Sequence, residues 1–395
     1  MQPKIYKRSD HPIRNEHVDS HALSAITRLQ QEGHTAYLVG GGVRDLLVGL
    51  RPKDFDISTS ARPEEMKKIF GRQCLLIGRR FRLAHLRYGS TIIEAATFRA
   101  GDPTLSSLIV RDNRWGSEEE DVLRRDFTMN ALFYDPSEEQ ILDYVGGVED
   151  IHKRLLRTIG NAEIRFKQDP VRMIRLLKFQ ARFGFCCCET ALAAMKRCRY
   201  EILKSAEARI LEEMLKMLES GKASPFFRLL SDHGFMELLF PCFHHFFTSG
   251  KEVATAFLEA VDDANATPQG KLSRPLLLAA LIFPILEQEI VTLTQDRQTT
   301  LSIREITHLT ETLLHGISTS SFVHFPKKLL QSIFLILVNQ FRLTPQGGAP
   351  RLTSRFHSPI DFQEALSFLR LRTLVTPSLS SLFEQWESVA ANPPS

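Results

Sequence analysis

The 395-residue sequence predicts an α+β fold, with a small mixed sheet and helices in its first part and an all-α remainder. Three observations lead there. Up to about residue 150, short β-type runs alternate with helical ones, and the glycine-rich turns concentrate in that stretch. From about Asn161 onward, apolar residues recur at three- and four-residue spacing, with little two-residue alternation. The length also exceeds one ordinary domain and suits two or three cores.

Taken in order, Tyr37–Val39, Phe55–Ile57, Leu75–Ile77, Leu83–Leu86, Ile92–Thr97 and Ala131–Tyr134 read as strands. Val43–Val48 and Glu64–Phe70 read as helices, the second with Pro63 at its first position, where the missing N–H costs nothing. Farther on, Asp169 suits a helix N-cap and Pro170 the first turn that follows. Lys251–Ser273 and Leu343–Pro350 are linker-like in composition, the second through Pro345, Gly347, Gly348 and Pro350.

Hydrophobic residues at 43% and charged residues at 24% exclude wholesale disorder and an integral membrane protein. The balance of 50 basic against 46 acidic side chains, a net +4, permits an RNA partner without requiring one. The six cysteines form no C-x-x-C pair, and adjacent Cys186, Cys187 and Cys188 splay in different directions, so they are read as reduced thiols. Met1–Asp10 is polar and basic, without an apolar stretch after it, and Leu276–Phe283 and Ile333–Val338 fall short of the roughly 20 residues that span a bilayer. A cytoplasmic protein with no membrane partner is expected.

The strongest local signal is Tyr37-Leu-Val-Gly-Gly-Gly-Val-Arg-Asp45, followed by Asp54-Phe-Asp56. A strand ending in Gly40, Gly41 and Gly42 lets the backbone turn tightly and approach a ligand, and a helix opening near Val43 aims N–H groups at an anion. Arg44 in that first turn opposes the helix dipole, which favours a phosphate contact over a purely structural role. On a strand, Asp54 and Asp56 share one face, and two carboxylates held together call for a cation. Beside a phosphate turn, such a pair fits two Mg²⁺ ions in phosphoryl transfer.

A third carboxylate would complete that centre. Glu94 sits inside the apolar run Ile92–Thr97, where an unpaired charge is costly, and Asp126 in Arg124-Arg-Asp-Phe-Thr128 is the other candidate, next to Arg125. In Asp169-Pro-Val-Arg-Met-Ile-Arg-Leu-Leu-Lys178, the basic residues Arg172, Arg175 and Lys178 recur every third position; Asp169 as acceptor and Arg172 as donor could together read a base edge. The glycine turn is not a P-loop, since no G-K-[ST] follows, nor does its spacing match the dinucleotide fingerprint. Asp232-His233 and His244-His245 lack a surrounding metal-ligand pattern.

Together these segments resemble the bacterial class II nucleotidyltransferases, the tRNA CCA-adding enzymes and bacterial poly(A) polymerases. Leu38–Asp45, Asp54–Asp56, Arg124–Asn130, Asp143–Asp150 and Asp169–Arg175 match the family's motifs in order. Leu76–His85, Val110–Asp121, Ala208–Glu213 and Phe362–Arg372 look like the poly(A) branch. Gln168, where the family commonly has Glu, and Lys178, where a third Arg is usual, are departures; a strongly basic C-terminal extension is also missing.

The resemblance implies an N-terminal extension over 1–30, a nucleotidyltransferase head or palm over 31–150, and a base-recognising helical neck over 151–225. A helical RNA-binding body over 226–342 and a helical tail over 343–395 would follow. It implies AMP transfer from ATP to an RNA 3′ end, with Mg²⁺ on Asp54 and Asp56 and with Gly40, Gly41 and Arg44 at the triphosphate. Arg125 and Asp126 would position sugar and phosphate, Asp169 and Arg172 would select adenine beside Arg175 and Lys178, and Arg79, Arg80 and Arg82 would meet RNA. CCA addition to tRNA with CTP and ATP is the alternative, and a catalytically silent RNA-binding protein a more distant one.

Overall fold

The structure, a computed structural model, describes residues 1–78, 82–101, 108, 114–249, 251–267, 271–345 and 359–391. Arg79, Arg80, residues 110–113 of the poly(A)-like stretch, Gly347, Gly348 and Pro350 lie outside the described residues. The chain divides into two compact units, Met1–Glu201 and Ile202–Ser395.

The first unit is built on an eight-stranded sheet. Its strands are β1 (Lys4–Tyr6), β2 (Ala36–Val39), β3 (Asp56–Thr59), β4 (Cys74–Ile77), β5 (Leu83–Tyr88), β6 (Thr91–Thr97), β7 (Leu132–Asp135) and β8 (Gln140–Asp143), in the order β1-β8-β7-β2-β3-β6-β5-β4. Only β3 and β6 run parallel; every other pair is antiparallel. Its helices are α1 (Ser20–Gln31), α2 (Gly41–Leu47), α3 (Pro63–Phe70), α4 (Glu118–Leu123), α5 (Gly147–His152), α6 (Ala162–Gln168), α7 (Val171–Phe183) and α8 (Glu189–Cys198). A short parallel pair, β9 (Leu155–Leu156) with β10 (Cys186–Cys187), ties the segment after α5 to the one after α7.

Pleating divides the side chains between two faces. One face carries Leu38, Ile57, Ala84, Leu86, Ile93 and Ala95, all buried, and α1 and α3 pack against the sheet with Ala22, Ile26, Leu29, Met66 and Phe70. Asp19 caps α1 by accepting from the His21 and Ala22 amides, which fixes where that helix begins. On the other face Tyr37, Val39, Phe133 and Leu142 join a cluster with Phe98, Val122, Ala131 and Ile159, covering the β2–β7–β8 half.

Three expectations change here. Residues 1–30 are not an appendage, because β1 pairs with β8 in the register Lys4↔Asp143 and α1 seals one face of the sheet. Both β1 and β8 escape a pattern search because they are three and four residues long with mixed polarity. The expected neck, 151–225, divides at 201/202, with α6–α8 in the first unit. Pro170 is the N-cap of α7 and Asp169 closes α6, so α7 begins one position later than a cap at Asp169 implies.

The second unit is helical: α9 (Glu207–Leu218), α10 (Ala223–Asp232), α11 (Phe235–Leu239), α12 (Pro241–Ser249), α13 (Lys251–Asn265), α14 (Arg274–Arg297), α15 (Ile303–Ser320), α16 (Lys327–Leu343), α17 (Pro359–Val375) and α18 (Ser380–Ala391). The linker expected over Lys251–Ser273 is largely helix α13. Its buried Ala254, Phe257, Leu258 and Val261 fall at helical spacing among polar residues, and its Asp262 accepts from the Ala223 and Ser224 amides to cap α10. The run Leu276–Phe283 lengthens into the 24-residue α14 because Pro284 is accommodated inside it. By length and composition α14 could cross a membrane, yet 67% of its apolar window is buried among the neighbouring helices, as in a core helix. At the far end, Trp386 donates from Nε1 to the Leu343 carbonyl at 3.1 Å and fills a cluster with Ala365, Leu366 and Leu369.

Gly147 shows how tightly the first unit closes. A Cβ there would lie 2.3 Å from the Thr128 carbonyl oxygen, a backbone atom that cannot swing away. Gly147→Ala is therefore expected to destabilise this unit by about 3 kcal/mol, read as a lowered midpoint in urea with Gly316→Ala as a control at an uncrowded position without a positive φ.

Candidate active site

Two neighbouring strand ends and one turn create the site. β2 ends at Val39, and Gly40 adopts φ 69 and ψ −125, a conformation that side-chain-bearing residues rarely tolerate, before α2 starts at Gly41. The helix thus begins two residues earlier than the sequence suggests. A Cβ on Gly42 would sit 3.5 Å from the Asp54 carbonyl oxygen and 3.5 Å from the Phe55 ring, so α2 packs against the segment entering β3.

β3 begins at Asp56, and Asp54 precedes it in irregular backbone; the strand is one residue shorter at its start than expected. Asp54 is exposed and Asp56 half-buried. The parallel register sets Asp56 opposite Glu94 on β6, and the next register sets Glu94 opposite His85 on β5. Register partners share a face, so Asp56, Glu94 and His85 form one row. His85 Nε2 lies 3.2 Å from Glu94 Oε1. Between the two candidates for a third carboxylate, Glu94 is the one in the row of Asp56. Among the described residues, no cluster of three or more His, Cys, Asp or Glu side chains is gathered closely enough to hold a metal by itself. The exposed Asp54 and half-buried Asp56 nevertheless supply the carboxylate oxygens that Mg²⁺ prefers alongside retained waters and substrate phosphates.

Asp126 is occupied elsewhere. It is 9% exposed, accepts from Arg175 Nε at 2.7 Å and from Asn130 Nδ2 at 3.1 Å, and also accepts the Phe127 amide. Burial raises its pKa, but the Arg175 charge, the Asn130 amide and the Arg172 charge outweigh that and hold it well below the ordinary carboxylate range. A carboxylate so engaged positions α7 against the 124–130 segment.

Arg44 also differs from expectation. It is 4% exposed and donates to Asp45 Oδ1 from Nε at 2.8 Å and from Nη2 at 2.6 Å, and to Asn130 Oδ1 from Nη1 at 2.6 Å. Its guanidinium carbon lies 5.1 and 4.8 Å from the Phe179 and Phe183 ring centroids. Although Arg44 borders Gly41, its first duty is to fasten α2 to α7. Asp45 doubles the fastening through Arg182, at 2.7 Å.

Arg125 takes the place expected of a site cation. Its Nη2 donates to Ser58 Oγ at 3.1 Å, two residues along β3 from Asp56, and its Nη1 lies 3.4 Å from where a Gly40 Cβ would be. Asp121, 1% exposed, holds both Arg124 Nε and Arg125 Nη2 at 2.8 Å, while Ser117 caps the helix that carries it.

Around α7, Arg172 is 6% exposed and donates to the carbonyl oxygens of Arg124 at 2.8 Å and Arg165 at 3.3 Å. It braces the 124–126 segment where a direct base contact was expected, and Asp169 is the more exposed member of that pair. The half-buried Lys178 has its ammonium 5.7 Å from the Phe179 ring centroid. Arg165 went unnoticed in the sequence: it is 2% exposed and donates to Gln168 Oε1 at 2.6 Å and to the Arg125 carbonyl at 2.7 Å. Burial, then the Arg172 charge, pushes its pKa down to about 9. Gln168 is thereby fixed despite replacing the family's Glu. Arg82 is exposed and paired with Glu64.

The Asp143–Asp150 motif is scaffolding. Asp143 Oδ1 accepts from the Val145, Gly146 and Gly147 amides and Oδ2 from Val148, while Asp150 accepts from Thr128 Oγ1 at 2.6 Å. Both acids hold the turn that presents Asn130 to Arg44 and Asp126.

Residues 36–157 match the family described as the poly A polymerase head domain, and residues 184–247 match the probable RNA and SrmB-binding site of polymerase A. Poly(A) polymerase I of Escherichia coli O6:H1 is 39% identical over 302 residues, which cover 72% of this chain and 65% of the relative. The chain belongs to the class II nucleotidyltransferase family. The chain spans about 65% of the length of that poly(A) polymerase. The CCA-adding enzyme of Geobacillus kaustophilus is 37% identical over 224 residues, 55% of this chain and 54% of the relative. A solved structure, the Bacillus stearothermophilus CCA-adding enzyme in complex with CTP, superposes on this chain with a TM-score of 0.63 at 27% identity. It covers 94% of this chain and 82% of the other.

Proposed function

We propose that this protein adds AMP from ATP to RNA 3′ ends without a template and releases pyrophosphate, acting as a polynucleotide adenylyltransferase of the bacterial cytoplasm. The observation that carries the reading is the row Asp56–Glu94 with Asp54 just before it, bordered by the Gly40 turn and Arg125. The likeness to poly(A) polymerase I over 72% of the chain favours AMP over CCA addition.

Asp54 and Asp56 are the residues that would hold Mg²⁺, which when bound supplies charge stabilisation at the α-phosphate and a more acidic 3′-hydroxyl. Arg125, steadied by Asp121, faces the phosphates. The backbone turn at Gly40 and Gly41 leaves room for the triphosphate, and Arg44 keeps that turn in place through Asp45 and Asn130. Asp169 offers an acceptor to the adenine exocyclic amine, with Arg172 bracing the segment next to it. Asp126 and Arg175 tie α7 to the 124–130 segment.

The test is incubation of the full chain with Mg²⁺ and either an oligo(A) primer or a tRNA lacking its CCA end, with ATP and CTP singly and together. Long tails with ATP alone are expected. A stop after three nucleotides on tRNA, requiring both nucleotides, would assign CCA addition instead, and no incorporation on either RNA would leave an RNA-binding protein.

A further inference from the structure

We infer that the open half of the sheet, the exposed face of β6–β5–β4 beside Asp54 and Asp56, is where the 3′-terminal nucleotides of the RNA acceptor lie. The inference rests on the nucleotidyl-transfer reading above and adds the side from which the acceptor arrives.

Sheet order supplies the first part of the argument. β3 has β2 on one side and β6 on the other. Gly40 and Arg125, the groups assigned to the triphosphate, both belong to or touch the β2 side: Gly40 follows β2, and Arg125 crosses toward Gly40 from above Phe133 on β7. That half of the face is roofed by the Tyr37, Val39, Phe133 and Leu142 cluster. Phosphoryl transfer needs the attacking and leaving oxygens roughly in line across the α-phosphorus. With the leaving pyrophosphate toward β2, the attacking hydroxyl comes from the β6 side.

The second part is what that side presents. Register places Asp56, Glu94, His85 and Leu75 in one row across β3, β6, β5 and β4. A second row, two residues along on the same face, pairs Ile92 with Arg87. Strands about 4.8 Å apart make the platform roughly 14 Å wide from Asp56 to Leu75. Leu75 is 43% and Ile92 47% exposed, and Arg87 is exposed with no ion pair among the described residues. Exposed aliphatic carbons joined to a cation suit a single-stranded end, with bases lying on Ile92 and Leu75 and a phosphate meeting Arg87. The opposite face of the same strands is sealed by α1 and α3, so this face is the one available.

The experiment measures steady-state addition by the full chain with oligo(A) as primer, in Arg87→Glu and Ile92→Asp. Both positions are exposed, so folding should persist. The primer KM is expected to rise about tenfold in each, the ATP KM to stay within about twofold, and Arg87→Glu to lower the salt slope of primer binding by about 1. Separately, an oligo(A) primer ending in 4-thiouridine should crosslink within the peptide Leu83–Glu94. An unchanged primer KM in both variants, or a crosslink confined to other peptides, overturns the inference. If the wild-type chain adds no nucleotide to any RNA, the proposed activity fails instead, and the crosslink still reports where an RNA end lies.

Discussion

Alanine in place of Asp54 or of Asp56 is expected to lower nucleotide incorporation by about a thousandfold or more, because each removes charge placed where the transition state needs it. Stability should hardly change. Asp54 is exposed and Asp56 half-buried, and substitutions at such positions usually stay within about 0.5 kcal/mol. Single-turnover incorporation and a thermal melt on the same preparation separate the two effects. Glu94→Gln keeps the shape of the side chain but removes the charge facing His85, and its loss of rate should be smaller than at either aspartate. Full activity in both aspartate variants would refute a two-aspartate centre.

The second large effect is structural in origin. Asp126→Ala removes the carboxylate that Arg175 and Asn130 hold and takes from the buried Arg172 one of its two neighbouring negative charges, leaving Asp169. Breaking a buried pair from one side costs about 3 kcal/mol or more, which for a unit of this size lowers the melting temperature by roughly 10 °C. Activity should fall as well, since α7 loses its tie to the 124–130 segment. The pH dependence has a defined sign. Asp126 has a depressed pKa in the folded state, so its contribution is fully present above the unfolded carboxylate value of about 3.9 and disappears as pH falls through the lower folded value. The stability gap between wild type and Asp126→Asn should therefore be constant near neutrality and close only in strong acid. A double-mutant cycle with Arg175→Ala should show a coupling of about 1 kcal/mol or more; strict additivity would argue that the contact does not hold the helix.

What the sequence reveals about this site depends on how far apart the interacting residues are. Asp54 and Asp56 stand two apart beside three glycines, and local spacing suffices to connect them. Glu94 is visible as a charge within an apolar strand, because placing it there demands a reason. Asp126 was the other candidate, beside Arg125 in a basic segment; its partner Arg175 lies on another element, and no local rule chooses between a cation of the protein and one from solution. Arg44 follows the same pattern. Its position against the helix dipole was a sound reason to look for an anion, but the anion is Asp45, beside it in sequence, with two phenylalanines from α7 completing the pocket. Arg165, Asp121 and Arg182 were passed over because charged residues in helical stretches ordinarily face water. α13 was mistaken for a linker because its buried apolar residues are diluted by acidic and small ones.

The pairing of β1 with β8 also bears on how the protein is made. Lys4–Tyr6 is translated early, but its register partners Ile141–Asp143 follow much later in the chain. At about 10 residues per second, the ribosome delivers the second strand on the order of ten seconds after the first. During that interval the opening strand has no neighbour to bond, and closing so long a loop is a slow, entropically opposed step. The sheet that frames Asp56 is thus finished from its outer edge last, after the strands at its centre are already available. Nascent chains halted before residue 143 should leave Lys4–Tyr6 open to protease, and chains released after it should protect that segment.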